Sequence, residues 1–563
     1  MSKCKTSAEV GGMGHSVKRK EDPRFIRGQG NYVDDVVRPG MVFMDIVRSP
    51  YAHAKIKSIN TEKALAHPGV AAVITGETLK EYNLHMMPTL MSDTQMVLPI
   101  EKVCYQAQEV AAVIATDRYS AADGVELVEV EYEPLPVVVD PHKATDPDAP
   151  IIRDDKEGQE NNHIFHWESG DKKGTDDVFK KADVVVKENI YLPRIHVASI
   201  ETCGCVSEFD SVSGQLTVWM TTQAPHAIRT VLALVAGHVG LREDKIRVIS
   251  PDIGGGFGGK VPVYPGYVIA IAASVVTGLP IKWIEDRREN LQADSFARDY
   301  HMTCEIAADK DGTLNGLRIN TLADHGYADA AANPSKWPAG MFSICTGSYN
   351  FKNAFVEVDG VYTNKPPGGI AYRCSFRVTE AVHAIERMVD MVADELGMDA
   401  AEIRMNNFIP KDAFPYKSPM GWEYDSGDYH GALKLAMDKI GYDKLLKEQA
   451  KKREKGELMG IGISSFTEVV GAGPSKDFDI LGIKMFDSSE IRIHPTGKVI
   501  ARFGTKSQGQ GHETTYAQII AEELGIPHSD VTVEEGDTDT APYGLGTYAS
   551  RSTPTAGAAA AVA

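Results

Sequence analysis

Gly254-Gly255-Gly256-Phe257-Gly258-Gly259-Lys260 follows the strand-like Lys245-Ile246-Arg247-Val248-Ile249 and precedes an apolar helical run from Tyr267 to Thr277. A strand, a glycine-rich turn and a helix in this order let backbone N–H groups approach an anion. Two familiar readings of the turn meet obstacles. The phosphate-binding loop G-x-x-x-x-G-K needs a hydroxyl at the next position to hold magnesium, and Val261 has none. The dinucleotide fingerprint G-x-G-x-x-G is matched by Gly254, Gly256 and Gly259, with Glu285 as the ribose acid. Pro262 and Pro265, however, keep the helix from starting where a pyrophosphate needs it. Two further turns lie downstream. Ser507-Gln508-Gly509-Gln510-Gly511-His512-Glu513 leads into a helix predicted over 516–524. Gly544-Leu545-Gly546-Thr547-Tyr548-Ala549-Ser550-Arg551-Ser552-Thr553 again sets glycines and hydroxyls before a helix. Three such turns in one chain point to a large phosphate-bearing cofactor contacted from several sides.

Composition narrows the class. At 563 residues the chain divides into three or four units on a prior of about 100 to 200 residues per domain. Its formal charge of -19 argues against nucleic acid, which requires a concentrated basic face. The first twenty residues hold no apolar core of signal-peptide length, and the longest apolar run, 267–276, is too short to span a bilayer. Seven dispersed cysteines fit a reducing cytoplasm. The one close pair, Cys203-Gly204-Cys205, lacks the companion that a zinc ribbon or iron-sulfur cluster needs.

The pattern along the chain predicts an α/β (α+β) protein in three parts. A small α/β unit over 17–140 opens with a polar arm containing Arg24-Phe25 and Asn31-Tyr32-Val33-Asp34-Asp35. It contains a strand at 110–115, a helix at 117–127 and a strand over 128–139 broken by Pro134 and Pro136. A polar linker over 141–162 follows, then a second unit over 163–410 and a third over 424–563. The last residues, Ser552-Thr553-Pro554-Thr555 and the alanine-rich stretch after them, read as a cap and the first turns of a helix. The expectation is that the chain is a fragment, or an incomplete reading frame, of a longer protein.

Ala371-Tyr372-Arg373-Cys374-Ser375-Phe376-Arg377 places a thiol between two guanidinium groups before an amphipathic helical stretch. Flanking positive charge favours the thiolate, which is the soft ligand that Cu(I) prefers. By itself the stretch also fits a structural loop, since cysteine is among the most buried residue types.

The three turns, in this order and with this separation, resemble the molybdopterin-binding elements of the xanthine oxidase family of molybdenum hydroxylases. The resemblance covers essentially the whole chain, including the Arg48-Ser49-Pro50-Tyr51-Ala52-His53-Ala54 turn. It implies a hammerhead-like α/β domain followed by two molybdopterin-binding domains, the last one incomplete. The cofactor is expected to be molybdenum with molybdopterin cytosine dinucleotide. Its expected contacts are Gly255, Gly256, Phe257, Gly258 and Arg373, then Gln508, Gly509, Gln510, Gly511 and His512, and finally Ser550, Ser552 and Thr553. Aldehyde and purine hydroxylases carry a small residue where Cys374 stands. A cysteine there resembles the copper-bearing carbon monoxide dehydrogenases, so Cys374 is the expected Cu(I) ligand, with Arg373, Ser375 and Phe376 around it. Gln223, in Thr221-Thr222-Gln223-Ala224-Pro225-His226, matches the family's glutamine beside the metal, and Phe257 its phenylalanine.

The implied reaction oxidises carbon monoxide with water to carbon dioxide. Arg373 and Arg377 would set the local field and Gln223 would hydrogen-bond an oxo ligand. For the arginines, surface or interface salt bridges are the competing reading. The two electrons would leave through an iron-sulfur small subunit and an FAD-binding medium subunit, in a dimer of heterotrimers. The expected location is the cytoplasm, with attachment to the inner membrane face through partners. Relatives also place a glutamate base in a C-terminal segment that this sequence does not contain. A molybdenum hydroxylase of aldehydes or N-heterocycles would share every glycine-rich element, and copper content separates the two. A truncated paralogue kept for assembly would be recognised by its failure to retain molybdenum.

Overall fold

Strand Gln215–Met220 alternates buried and half-buried residues and pairs in parallel with Ile246–Ile249. Helix Pro225–Ala236 makes the crossover between them. The same β-α-β arrangement recurs near the end of the chain. Strand Val499–Phe503 pairs in parallel with Val531–Glu535 across helix His512–Leu524. In open α/β units ligands bind beyond the carboxyl ends of the strands. The loops there contain Gln223 in one unit and the Gln508 turn in the other. The two units are sewn together at those ends. Ser250 N–H donates to Gly536 O at 2.7 Å, and Thr538 N–H to Val248 O at 3.0 Å. The computed structural model describes residues 6–89, 93–328, 344–370, 372–373, 378–468, 470–471 and 486–563.

Strand Gln215–Met220 belongs to a seven-stranded mixed sheet with the order Ile246–Ile249, Gln215–Met220, Gly204–Asp210, Ile281–Ile284, Val42–Arg48, Glu109–Ala115 and Val70–Thr75. The N-terminal strands are thus continuous with the central ones, since Val42 and Phe43 pair in parallel with Ile281 and Lys282. Each residue of Glu109–Ala115 is buried, as expected for a strand covered on both faces. Helix Pro265–Thr277 is apolar all round and packs on Gly204–Asp210 and Ile281–Ile284, so it fills the core instead of facing solvent. Pro265 stands in its first turn and Gly278, at φ +69°, ends it in the left-handed region. A second, five-stranded sheet runs Val184–Leu192, Tyr300–Ala308, Leu314–Asp324, Asn353–Val361 and His163–Gly170. Helix Val378–Leu396, which follows the Cys374 loop, packs on its first two strands through an apolar face that includes Met388, Val389 and Val392.

Two details differ from the sequence reading. The stretch expected to be a polar linker is mostly exposed but tied into the fold at points such as Ile152 and Arg153, both 0% exposed. There the polarity is spent internally, because Arg153 forms a bidentate pair with Asp155 at 2.8 Å and donates to Thr94 O at 2.6 Å. The helix predicted from 516 starts at His512, because Gly511 adopts φ +88° and turns the chain there. No helix among the described residues is long and apolar enough to cross a membrane.

Candidate functional site

A cavity of about 580 Å³ lies where the three glycine turns meet. The first turn contributes Gly256, Phe257 and Gly258, and Arg373 joins them from the loop that leads to Cys374. The second contributes Gln508, Gly509, Gln510 and His512. The third contributes Thr547 through Thr553, among them the expected Ser550, Ser552 and Thr553. Gln223 closes the wall. Gly255 and Gly511 do not line the cavity. A Cβ on Gly255 would come within 2.8 Å of the Phe257 ring, so that glycine gives the ring its place. Cys374, Ser375, Phe376 and Arg377 lie outside the described residues.

Gln223 pins the turns together. Its Oε1 accepts from the N–H groups of Gly258 and Lys260 at 2.9 and 3.2 Å, and its Nε2 donates to Thr547 O at 2.7 Å. Its backbone also bonds Lys260 O and Thr547 N–H, each at 2.9 Å. The residue is 2% exposed, and the second Nε2 hydrogen is what it can offer to the cavity it lines. The phosphate-loop and dinucleotide readings of the first turn find no support here. Lys260 is buried and bonded to Glu201 at 2.9 Å, and Glu285 is buried against Asn290 and Asp294.

The wall is held in unusual backbone shapes. Phe257, Arg373, Ala549 and Ser550 all have φ between +45° and +55°, a region that side chains avoid, and all four line the cavity. The Arg373 N–H donates to Phe257 O at 3.0 Å, and its guanidinium carbon lies 5.9 Å from the Phe257 ring centre. Arg373 is thereby anchored on the first glycine turn.

His512 is buried at the start of its helix. Its Nδ1 lies 2.9 Å from Glu535 Oε1, while Nε2 is buried with no partner. Arg551 is fully buried, pairs with Asp487 at 2.7 Å and bonds the carbonyls of Gly546 and Phe486. Its Nε, like His512 Nε2, has no partner. Burial raises the Glu535 carboxyl, but His512, Lys506 and Thr505 outweigh it and hold the group below the usual carboxylate range. Burial lowers the Lys506 ammonium and raises Asp487, the latter against the pull of Arg551. A space of this size with orphaned buried nitrogens and glycine-lined walls fits a large anionic group such as a pterin phosphate.

Sequence reasoning missed Glu535, Arg551 and Thr547. Arg551 and Thr547 both stood inside a quoted motif. Glu535 ends a strand with no signature, and only the pairing of Val499–Phe503 with Val531–Glu535 brings it to His512.

Comparison with known proteins follows the same lines. Residues 27–136 match the a/b hammerhead domain of aldehyde oxidase and xanthine dehydrogenase. Residues 155–408 and 435–563 each match a molybdopterin cofactor-binding domain. The carbon monoxide dehydrogenase large chain of Afipia carboxidovorans is 62% identical, covering 99% of this chain and 71% of that one. The corresponding chain of Hydrogenophaga pseudoflava is 59% identical, covering 98% and 70%. A crystal structure of a Cu,Mo-CO dehydrogenase in a carbon monoxide reduced state has a TM-score of 0.95 at 62% identity, covering 99% and 71%. With its hammerhead and two molybdopterin cofactor-binding domains, this chain belongs to the family of carbon monoxide dehydrogenase large chains.

Proposed function

We propose that this chain is the catalytic subunit that oxidises carbon monoxide with water, yielding carbon dioxide, two protons and two electrons. The observation that carries the reading is that Arg373, the residue before Cys374, lines the cavity and is bonded to Phe257. Carbon monoxide has no charge and almost no dipole, so hydrogen bonds hold it poorly and a soft metal on a thiolate suits it. Bound here, a molybdenum–pterin group together with Cu(I) on Cys374 supplies the redox chemistry and the oxygen transfer.

The chain's own residues do the positioning. Gln223 keeps its carboxamide fixed by three hydrogen bonds and offers the remaining N–H to an oxygen in the cavity. Phe257, half exposed and locked by its backbone, covers one side with an apolar ring that limits water. Arg373, the residue before Cys374 in the sequence, would favour the deprotonated thiol through its fixed positive charge. The glycine turns, with His512, Ser550, Ser552 and Thr553, hold the pterin dinucleotide. The chain is the large subunit of a multi-subunit enzyme, and we assign the electron exit to an iron-sulfur small subunit and an FAD-binding medium subunit, in a dimer of heterotrimers.

The test is Cys374→Ser in the complete complex. Serine is nearly isosteric but offers a hard oxygen, so copper should be lost while molybdenum and pterin stay, and acceptor reduction by carbon monoxide should cease. Stoichiometric copper in the variant, or carbon monoxide oxidation without copper, would replace this reading with a hydroxylase of aldehydes or N-heterocycles.

A further inference from the structure

Glu535 has no place in the assignment above, yet three donors converge on it in the core beside the cavity. Its Oε1 accepts from the Thr505 hydroxyl and lies 2.9 Å from His512 Nδ1, and its Oε2 accepts from Ser507 N–H at 2.9 Å. A carboxylate that accepts several hydrogen bonds is stabilised in its ionised form, in agreement with the direction found for Glu535. The consequence falls on His512. With Nδ1–H committed to the carboxylate, Nε2 is the atom the ring presents, and that atom is buried and without a partner at the wall of the cavity. The ring is held from the side as well, with its centre 5.1 Å from that of Tyr516.

The surroundings select an anion for Nε2. His512 opens a helix of 13 residues, whose first N–H groups have no intrahelical partners and whose positive dipole end faces the same direction as the chain entry at Gly511. Arg551, from the third turn, adds a buried, unpartnered Nε to the same cavity. An orphaned guanidinium N–H, a ring nitrogen that donates once the imidazole is protonated, and a helix N-terminus around one space are a phosphate environment.

We propose that Glu535 is a positioning residue: it fixes the His512 ring so that Nε2–H, together with Arg551 Nε–H, donates to a phosphate oxygen of the pterin dinucleotide. In that bonded state the imidazole carries a proton on each nitrogen, and Glu535 balances its charge. This rests on the reading of the cavity as the pterin site and adds the residue that orients one of its ligands.

The experiment uses the complete complex with Glu535→Gln, His512→Asn and the double variant. Three readouts are taken: pterin and molybdenum per large chain, the rate of pterin loss during dialysis, and the 31P resonances of the retained cofactor. A lost charge-assisted hydrogen bond should raise the rate of loss about tenfold in each single variant. The double variant should lose pterin no faster than either single one, and the 31P resonances should shift in Glu535→Gln, which keeps the size of the side chain. Independent effects that multiply in the double variant would mean that Glu535 acts through Thr505 and Ser507 alone, and would overturn the proposal. Unshifted 31P resonances would do the same. His512→Asn leaves Thr505 and Ser507 on Glu535, so if Glu535→Gln does not assemble, its pterin retention decides: loss as slow as in the unsubstituted complex overturns the proposal. A pterin-free unsubstituted complex would instead sink the reading of the cavity itself.

Discussion

Gln223 was read from its resemblance as a group beside the metal, and the structure gives it a second task that no motif encodes. Its carboxamide satisfies two buried N–H groups of the first glycine turn and one carbonyl of the third. Gln223→Ala should leave all three without partners. At about 1–3 kcal/mol for an unsatisfied buried group, partly relieved by water, a loss of about 2–4 kcal/mol is expected, with lower molybdenum content. Thermal denaturation and metal analysis of the complex check this, and a melting temperature equal to that of the unsubstituted complex would remove the pin. Gly256 belongs to the same argument. The sequence suggests that a side chain there would exclude cofactor directly, but a Cβ would first meet Gln223 Oε1 at 2.6 Å. Gly256→Ala should therefore mimic Gln223→Ala. Candidate contacts in glycine turns were legible because backbone access to an anion needs glycine at known places. Glu535 and the four strained residues were not, because a positive φ or a strand partner leaves no mark on residue type.

At the scale of elements, patterning identified the buried helix, read from 267 to 277 and formed by Pro265–Thr277, the strand read over 245–249 and formed by Ile246–Ile249, and the helix after the Cys374 loop. The buried points of the stretch at 152–162, Ile152, Arg153 and Asn162, defeated it, because polar composition reads as solvent exposure unless the partners are visible. Arg153 shows the difference. Its charge is matched by Asp155, its remaining hydrogens reach the carbonyls of Thr94 and Tyr327, and its guanidinium lies 4.7 Å from the Tyr327 ring centre. Arg153→Ala should cost about 3 kcal/mol, toward the low end for a broken buried pair because Asp155 retains some access to water. Arg153→Lys should recover little, since an ammonium cannot reproduce the bidentate fork. Denaturant titration of the three proteins tests the claim, and an alanine variant within about 0.5 kcal/mol of the original would show that the stretch is a linker after all.

Over the whole molecule, the convergence of the three turns on one group was legible, but the contacts that bring them together were not. They depend on the seam at which the ends of strands Ile246–Ile249 and Val531–Glu535 bond each other, a contact between residues almost 300 positions apart that local pattern cannot reveal. The cavity wall is therefore made of loops whose mutual fixation passes through a few hydrogen bonds such as those of Gln223, while the five-stranded sheet and its helix have their own apolar core. Such loops open at lower free energy than core strands. A group bound across them stabilises the closed state by mass action, by about 4 kcal/mol at a thousandfold excess over its dissociation constant. Hydrogen exchange on complexes isolated with and without pterin should then differ locally. Without pterin, exchange should quicken in 254–260, 505–512 and 544–553, and at Gln223, and remain unchanged in strands Tyr300–Ala308 and Leu314–Asp324, which pair with each other outside the cavity. Equal protection of the three turns in both forms would mean that the pterin does not bridge them. Faster exchange spread over the five-stranded sheet would mean that the group stabilises the whole fold and not the seam.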